Sequence, residues 1–405
     1  MSVSYTNFAI STAIHSGSQT RAMIPDLFRG LGAKRVVLFS DKGLEQAGIV
    51  EKVAEIFRQT PHGVGPELVG IFTDIEQDAS SNSVNKATQF ARDKAADGLL
   101  AVGGGSVIDT VKGVKFSLHH GVTDIKELMP SGINVFRWPE AQMIPIPHIT
   151  VPTTAGTGSE VSPIAVIYNE ETKIKTNIIH PFISSNMAVL DPDLTVGLPP
   201  FITAFTGFDA LTHAIEALFS PKATPFTDAF ALQTVRMIKD ALPEAVKNGE
   251  NLQARMDMLQ ASTMGIIAFS FSLHAVPVHN LAHAYGALFR IPHGLANAVF
   301  LPLVMESLPE LYLPKIDRLA EALELETQNQ TKEEILQTVV KTIQDLQQEV
   351  GLPKDFSDYD IPQNARQAIV KAVESDPTAI NFPIPSHIIS SIGKRVRGAE
   401  AKQTI

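Results

Sequence analysis

Five residues in the second half of the chain have types and spacings suited to a divalent cation. Asp209 and His213 lie four apart in residues 207–213 (GFDALTH), and His279 and His283 lie four apart in 278–283 (VHNLAH). Residues at i and i+4 share a helix face, so each pair aims two side chains at one point. His293 follows in an Ile-Pro-His-Gly run at the start of another expected helix. One carboxylate with two or three imidazoles suits a first-row ion such as iron, zinc, nickel or cobalt. Asp209, His213, His279 and His293 sit in apolar surroundings, where four unrelated polar groups would each need a partner of its own. A shared ion is the simpler reading. His15, His119, His120, His148, His180 and His274 show no comparable arrangement; His62 sits in a Pro/Gly loop and His387 near the tail.

Two glycine-rich segments in the first half have a different chemistry. Gly103, Gly104, Gly105 and Ser106 join an expected strand to an expected helix. Glycines let the backbone approach a ligand, and the helix start directs free N–H groups at it, which suits a pyrophosphate. This is not the G-x-G-x-x-G fingerprint. Asp109 is placed to cap or orient the helix start. In residues 153–160 (TTAGTGSE), Thr153, Thr154 and Thr157 offer hydroxyls for a ribose or phosphate. The competing reading of that loop is a turn whose hydroxyls satisfy one another. Two such loops on one sheet are better explained by a dinucleotide. Asp41 closes the first strand, where a carboxylate accepts from an adenosine ribose and repels a 2′-phosphate, favouring NAD over NADP.

The elements that must position these groups divide the chain in two. Residues 35–40 (RVVLFS), 68–72, 99–102 and 148–151 (HITV) read as short buried strands. Helical spacing over 44–58, 83–95 and 107–118 alternates with them, which implies right-handed βαβ units and a parallel sheet. Ligands of such sheets bind beyond the carboxyl ends of the strands, where both glycine segments fall. After Leu198-Pro199-Pro200 the pattern becomes helical: 201–219, 226–248, 252–270, 279–288, 295–306, 309–323 and 331–349. The expected architecture is an α/β domain with a Rossmann-like parallel sheet over 1–198, followed by an all-α domain over 199–405.

Composition narrows the class. The chain has 405 residues, 44% of them hydrophobic, which is enough for two cores. With no cysteine, disulfides, Cys-ligated zinc and iron–sulfur clusters are excluded. A net charge of −10 without a Lys/Arg face argues against nucleic acid as a partner. No apolar stretch reaches membrane-spanning length, and 1–20 lacks a basic start followed by an apolar run, so a cytoplasmic protein is expected. Beyond Arg397 the sequence has little to bury, and a mobile tail is expected there.

With these motifs in order, the sequence resembles the iron-containing (group III) alcohol dehydrogenase family from about Asn7 to about Glu349. The segments that carry the resemblance are 103–106, 153–160, 207–216 (GFDALTHAIE) and 279–297, which ends in HGLAN. It implies a Rossmann-like domain and a helical domain of the dehydroquinate synthase-like architecture, with metal and nicotinamide meeting in a cleft. It also implies a homodimer or larger homo-oligomer. By the same resemblance Asp209, His213, His279 and His293 hold the metal, Fe²⁺ first and Zn²⁺ or another ion as alternatives. The cofactor contacts it implies are Asp41, Gly103 to Ser106, Thr153 and Thr157, with Ser162 at a position usually Thr and Lys175 near the nucleotide. There are departures. Glu76-Gln77-Asp78 replaces Glu-Pro-Asn and adds a negative charge at a cofactor position, His283-Ala284-Tyr285-Gly286 replaces His-Pro-Leu-Gly, and Ile380-Asn381-Phe382-Pro383 replaces Asn-Pro.

The implied reaction is NAD-linked hydride transfer between a small primary alcohol and its aldehyde, on a divalent ion acting as Lewis acid. His283, one turn beyond a ligand, is the candidate proton relay; the competing role is packing alone. Phe269, Phe271, Leu273 and Phe382 are candidates for the substrate pocket. Two other classes use the same features: a dehydroquinate synthase-like lyase, which needs a basic pocket that Arg290 alone does not supply, and a non-catalytic metal or nucleotide sensor.

Overall fold

The structure is a computed structural model and describes residues 6–61, 63–129, 133–137 and 140–397. His62 and the tail from Gly398 lie outside the described residues. The fold is built from two compact units: one comprises Met1–Phe8, Pro199–Gly249 and Met264–Ile405, the other Ala9–Leu198 and Glu250–Thr263.

In the second of these units the described strands are β1 (Ala13–Ser16), β2 (Arg35–Phe39), β3 (Glu67–Phe72), β4 (Gly98–Gly103), β5 (Ile133–Val135), β6 (His148–Pro152), β7 (Ile164–Asn169), β8 (Ile174–Ile179) and β9 (Met187–Leu190). Six of them form a sheet in the order β1-β9-β6-β4-β2-β3, with every pairing parallel. Alternation along each strand divides the core between the two faces. Val36, Leu38, Leu100 and Val102 pack with Phe28, Val53 and Phe57. Val37, Phe39, Leu99 and Ala101 point the other way, onto Ala87, Val107 and Val111. A sheet covered on both sides explains why β2 and β4 read as continuous apolar runs. β2 is flanked by β3 on one side and β4 on the other, so the winding reverses between β2 and β4.

A smaller sheet, β5-β8-β7, lies beyond the sequence expectations. β7 and β8 form an antiparallel hairpin, and Tyr168 of β7 bridges to Ser80 at the end of the loop after β3. β1 and β9 were also absent from the periodicity. Four residues each is too short for a distinct alternation, and β1 is mostly exposed.

The other unit is helical. Pro200–Phe219, Pro225–Lys247, Pro277–Phe289, His293–Ser307 and Lys332–Glu349 follow the expected ranges closely. The expected helix 309–323 is broken: a 3-10 turn at Leu313–Lys315 separates Pro309–Tyr312 from Ile316–Ala322. The expected helix 44–58 likewise divides into Lys42–Gln46 and Ile49–Gln59, because Gly48 takes the left-handed conformation (φ 73°). Helices Arg366–Ser375 and Ser386–Arg395 complete the described chain. No helix among the described residues is long and apolar enough to cross a membrane.

Candidate metal centre and nucleotide loops

Helix Pro200–Phe219 is buried on nearly every side from Thr203 onward. It carries Asp209 and His213 one turn apart into that interior. Helix Pro277–Phe289 brings His279, and helix His293–Ser307 begins on His293 itself. Asp209, His213 and His279, all buried, offer ligand atoms within 4.8 Å of one another. His293 joins them through Nε2, 3.5 Å from Asp209 Oδ1, and its ring centroid is 5.3 Å from that of His279. The His213 and His279 rings stack at 4.7 Å. Phe269 lies against both, at 4.9 and 4.8 Å, and gives the group an apolar wall. Phe271 packs instead on Phe8, at 4.7 Å. One carboxylate and three imidazoles, without a thiolate, fit a divalent first-row ion.

Glu216, which the sequence did not mark, is part of this centre. It lies one further turn along the Asp209 helix, is 2% exposed, and accepts from Val278 N (2.7 Å) and His279 Nδ1 (2.5 Å). The bond to Nδ1 leaves Nε2 as the nitrogen that faces Asp209. A carboxylate behind a ligand histidine fixes the ring and raises its basicity. Burial alone would push His279 down, but Glu216 and Asp209 hold it up to about 9. Burial would push Asp209 up, and His213 and His293 hold it well below the usual carboxylate range. Glu216→Gln keeps the shape and removes the charge; metal affinity, measured by chelator competition, is expected to fall about 10–100-fold. Unchanged affinity would show that Glu216 only fills space. Its signal in the sequence was a glutamate at i+7 from Asp209, which by itself looks like any buried polar residue.

His283 lies next to this group rather than within it. Its ring stacks on His293 at 5.2 Å, and its Nδ1 pairs with Asp376 Oδ2 at 3.2 Å. Asp376 comes from the segment between the last two helices, nearly a hundred residues away in sequence. Burial would push its carboxyl up; His283 and the hydrogen bonds from Thr378 hold it below the usual range.

In the α/β unit the two glycine-rich segments lie against each other. A Cβ on Gly104 would meet Thr154 Oγ1 at 3.2 Å, and one on Gly105 would meet Thr157 Cγ2 at 2.7 Å. Thr153 N donates to Gly103 O at 3.1 Å. The absence of side chains in the first loop is thus what admits the threonines of the second. Gly104 caps helix Gly105–His120 without a side-chain bond, so Asp109 does not cap it. Asp109 instead accepts from Ser159 Oγ and from Val166 N (3.1 Å), tying the helix to the second loop and to β7. Fully buried Lys112 strengthens that tie by donating to Ser159 Oγ (2.7 Å) and Ile164 O (2.6 Å). Ser162 Oγ accepts from Ile164 N at 3.2 Å. Asp41 caps helix Lys42–Gln46 through Leu44 N (2.9 Å), beside the β2/β4 reversal. Open α/β sheets bind ligands at the carboxyl end of such a reversal. The negative charge of Asp78 is paired with Lys175 Nζ at 2.7 Å, while its backbone N donates to Ser106 Oγ at 3.1 Å.

Residues 11–192 match the family described as iron-containing alcohol dehydrogenase, and residues 203–387 match the C-terminal part of the Fe-containing alcohol dehydrogenase family. The chain is 34% identical over 366 residues to long-chain-alcohol dehydrogenase 1 of Geobacillus thermodenitrificans (strain NG80-2), covering 90% of this chain and 89% of that protein. It is 35% identical over 358 residues to 1,3-propanediol dehydrogenase of Klebsiella pneumoniae, covering 87% and 88%. Among solved structures it is similar to a 1,3-propanediol oxidoreductase, with a TM-score of 0.88 and 31% identity, covering 97% of this chain and 100% of the other. An alcohol dehydrogenase from Oenococcus oeni superposes with a TM-score of 0.86 and 28% identity over the same shares.

Proposed function

The chain belongs to the iron-containing alcohol dehydrogenase family and is an alcohol oxidoreductase, and from that premise we propose a specific reaction and site. It moves a hydride between NAD and small primary alcohols or their aldehydes, with a divalent ion, Fe²⁺ first, held by Asp209, His213, His279 and His293. The observation that carries this reading is the convergence of those four side chains from three helices on one buried point. Residues 1–198 take the nucleotide and 199–405 the metal and alcohol. Cofactor contacts are assigned to Asp41, Gly103, Gly104, Gly105, Ser106, Thr153, Thr154, Thr157, Ser162 and Lys175. Asp109 supports them from behind. A cytoplasmic homodimer or larger homo-oligomer belongs to the same proposal.

When bound, a divalent cation supplies the Lewis acidity that lowers the pKa of an alcohol hydroxyl and polarises an aldehyde carbonyl in reverse. The chain's own residues do the rest. Asp209 supplies the negative charge of the donor set, and Glu216 holds His279 by Nδ1 so that Nε2 faces inward. Phe269 keeps water from one side of the group. His283 takes the hydroxyl proton at Nε2, with Asp376 holding its other nitrogen. His283→Gln is expected to lower kcat about 10²-fold while bound metal is unchanged; an unaltered kcat would leave His283 a packing residue.

The test is NADH formation from ethanol, 1-butanol, 1,3-propanediol and choline. Metal-stripped protein would be loaded with Fe²⁺, Zn²⁺, Ni²⁺, Co²⁺ or nothing, and NADP run in parallel. Metal-dependent turnover with NAD is the expected result. Turnover at the same rate without any metal would overturn the assignment of the site.

A further inference from the structure

One buried side chain at the metal centre is not a ligand of the proposed set. Asn297 lies one turn after His293 in helix His293–Ser307 and is fully buried. Its Nδ2 donates to Asp209 Oδ1 at 2.7 Å and lies 3.4 Å from His279 Nε2 and 3.3 Å from His293 Nε2. Among the described residues its Oδ1 is buried without a partner. A buried amide with one end unsatisfied gives up a hydrogen bond, and such groups in native proteins call for a reason. Turning the amide over would set Oδ1 against Asp209 Oδ1, lone pair against lone pair. The donor end is therefore fixed by Asp209, and the orphaned oxygen is the consequence.

We propose that Asn297 is a positioning residue for the metal centre: its Nδ2 holds the Asp209 carboxylate so that Oδ1 faces the three histidines before any cation arrives. Asp209 Oδ1 is the common point of the arrangement, 3.7 Å from His279 Nε2 and 3.5 Å from His293 Nε2. A carboxylate turns freely about its last torsion unless a hydrogen bond stops it. Asn297 Nδ2, at 2.7 Å, lies nearer to Asp209 Oδ1 than either His279 Nε2 or His293 Nε2. A cation that captures the histidine nitrogens leaves the bond from Nδ2 to Asp209 in place. The donor is required, and size alone does not supply it. This inference rests on the metal reading of Asp209, His213, His279 and His293.

The experiment uses full-length, metal-stripped protein titrated with Co²⁺ against a chelator, followed by the cobalt visible spectrum and by melting temperature. Asn297→Leu, of similar volume and without a donor, is expected to weaken Co²⁺ binding about 10–100-fold and alter the visible bands. Its rise in melting temperature on Co²⁺ loading should shrink. A residue that is merely structural would lower both melting temperatures equally and leave affinity and spectrum alone; that result overturns the proposal. Should Asn297→Leu fail to fold, Asn297→Asp decides. It keeps the shape but sets a carboxylate against Asp209, so the metal-free protein should melt lower and gain more than the wild type from Co²⁺. An unchanged gain overturns the proposal. Wild-type protein that takes up no Co²⁺ would instead overturn the metal reading on which it rests.

Discussion

His279→Ala is expected to lower kcat/KM for every alcohol by at least about 10³-fold, because several kcal/mol of Lewis-acid stabilisation depend on the ion that this residue is proposed to hold. His279 is the most heavily connected member of the group: 4% exposed, stacked on His213, against Phe269, paired with Glu216 and facing Asp209. Among the described residues, the substitution leaves Glu216 a buried carboxylate that accepts from the Val278 N–H alone. Removing one partner of a buried pair costs on the order of 3–5 kcal/mol, so stability should fall together with activity. Asp209→Asn separates the two effects. It preserves volume and removes the one negative charge of the donor set, so metal content should fall with a much smaller change in melting temperature. Metal content by plasma spectrometry and kcat/KM on both variants are the measurements. A His279→Ala protein that retains stoichiometric metal and wild-type turnover would remove this group from the reaction altogether.

Gly294→Ala is expected to be the most damaging single methyl in the helical unit. A Cβ there would lie 2.4 Å from Phe205 O and 3.0 Å from Phe205 C. Both are backbone atoms of the helix that carries Asp209 and His213, so no side chain is available to swing aside. Overpacking of this kind costs about 1–3 kcal/mol and more where backbone must move. Relief requires the start of helix His293–Ser307 to retreat, which draws His293 away from Asp209. Thermal unfolding should shift down by several degrees, and metal affinity should weaken as well. Gly286→Ala is the control, since its nearest neighbour would be Ile291 O at 3.4 Å, a contact with room to adjust. Equal melting temperatures for the two variants would contradict the close approach at Gly294.

Much of this was legible in the residues themselves. The i, i+4 pairs Asp209/His213 and His279/His283 are helix geometry written in sequence, and helices Pro200–Phe219 and Pro277–Phe289 carry them as that spacing predicts. The apolar runs of β2 and β4 announced a sheet covered on both faces. What stayed hidden involves contacts between residues distant in sequence. Glu216 differs from any other helix glutamate only because His279, 63 positions away, turns its Nδ1 toward it. The amide of Asn297 and the carboxylate of Asp376 have their roles only through Asp209 and His283, 88 and 93 positions away. The extra charge at Asp78 looks like an obstacle to a nucleotide until β8 brings Lys175 to it. Local periodicity and residue type decided which side chains could share a face, because helix and strand repeats depend on neighbours alone. Which carboxylate is paired, which imidazole nitrogen faces inward and which glycine has no room for a methyl were decided only by packing, because those properties belong to pairs of segments that the chain order does not place together.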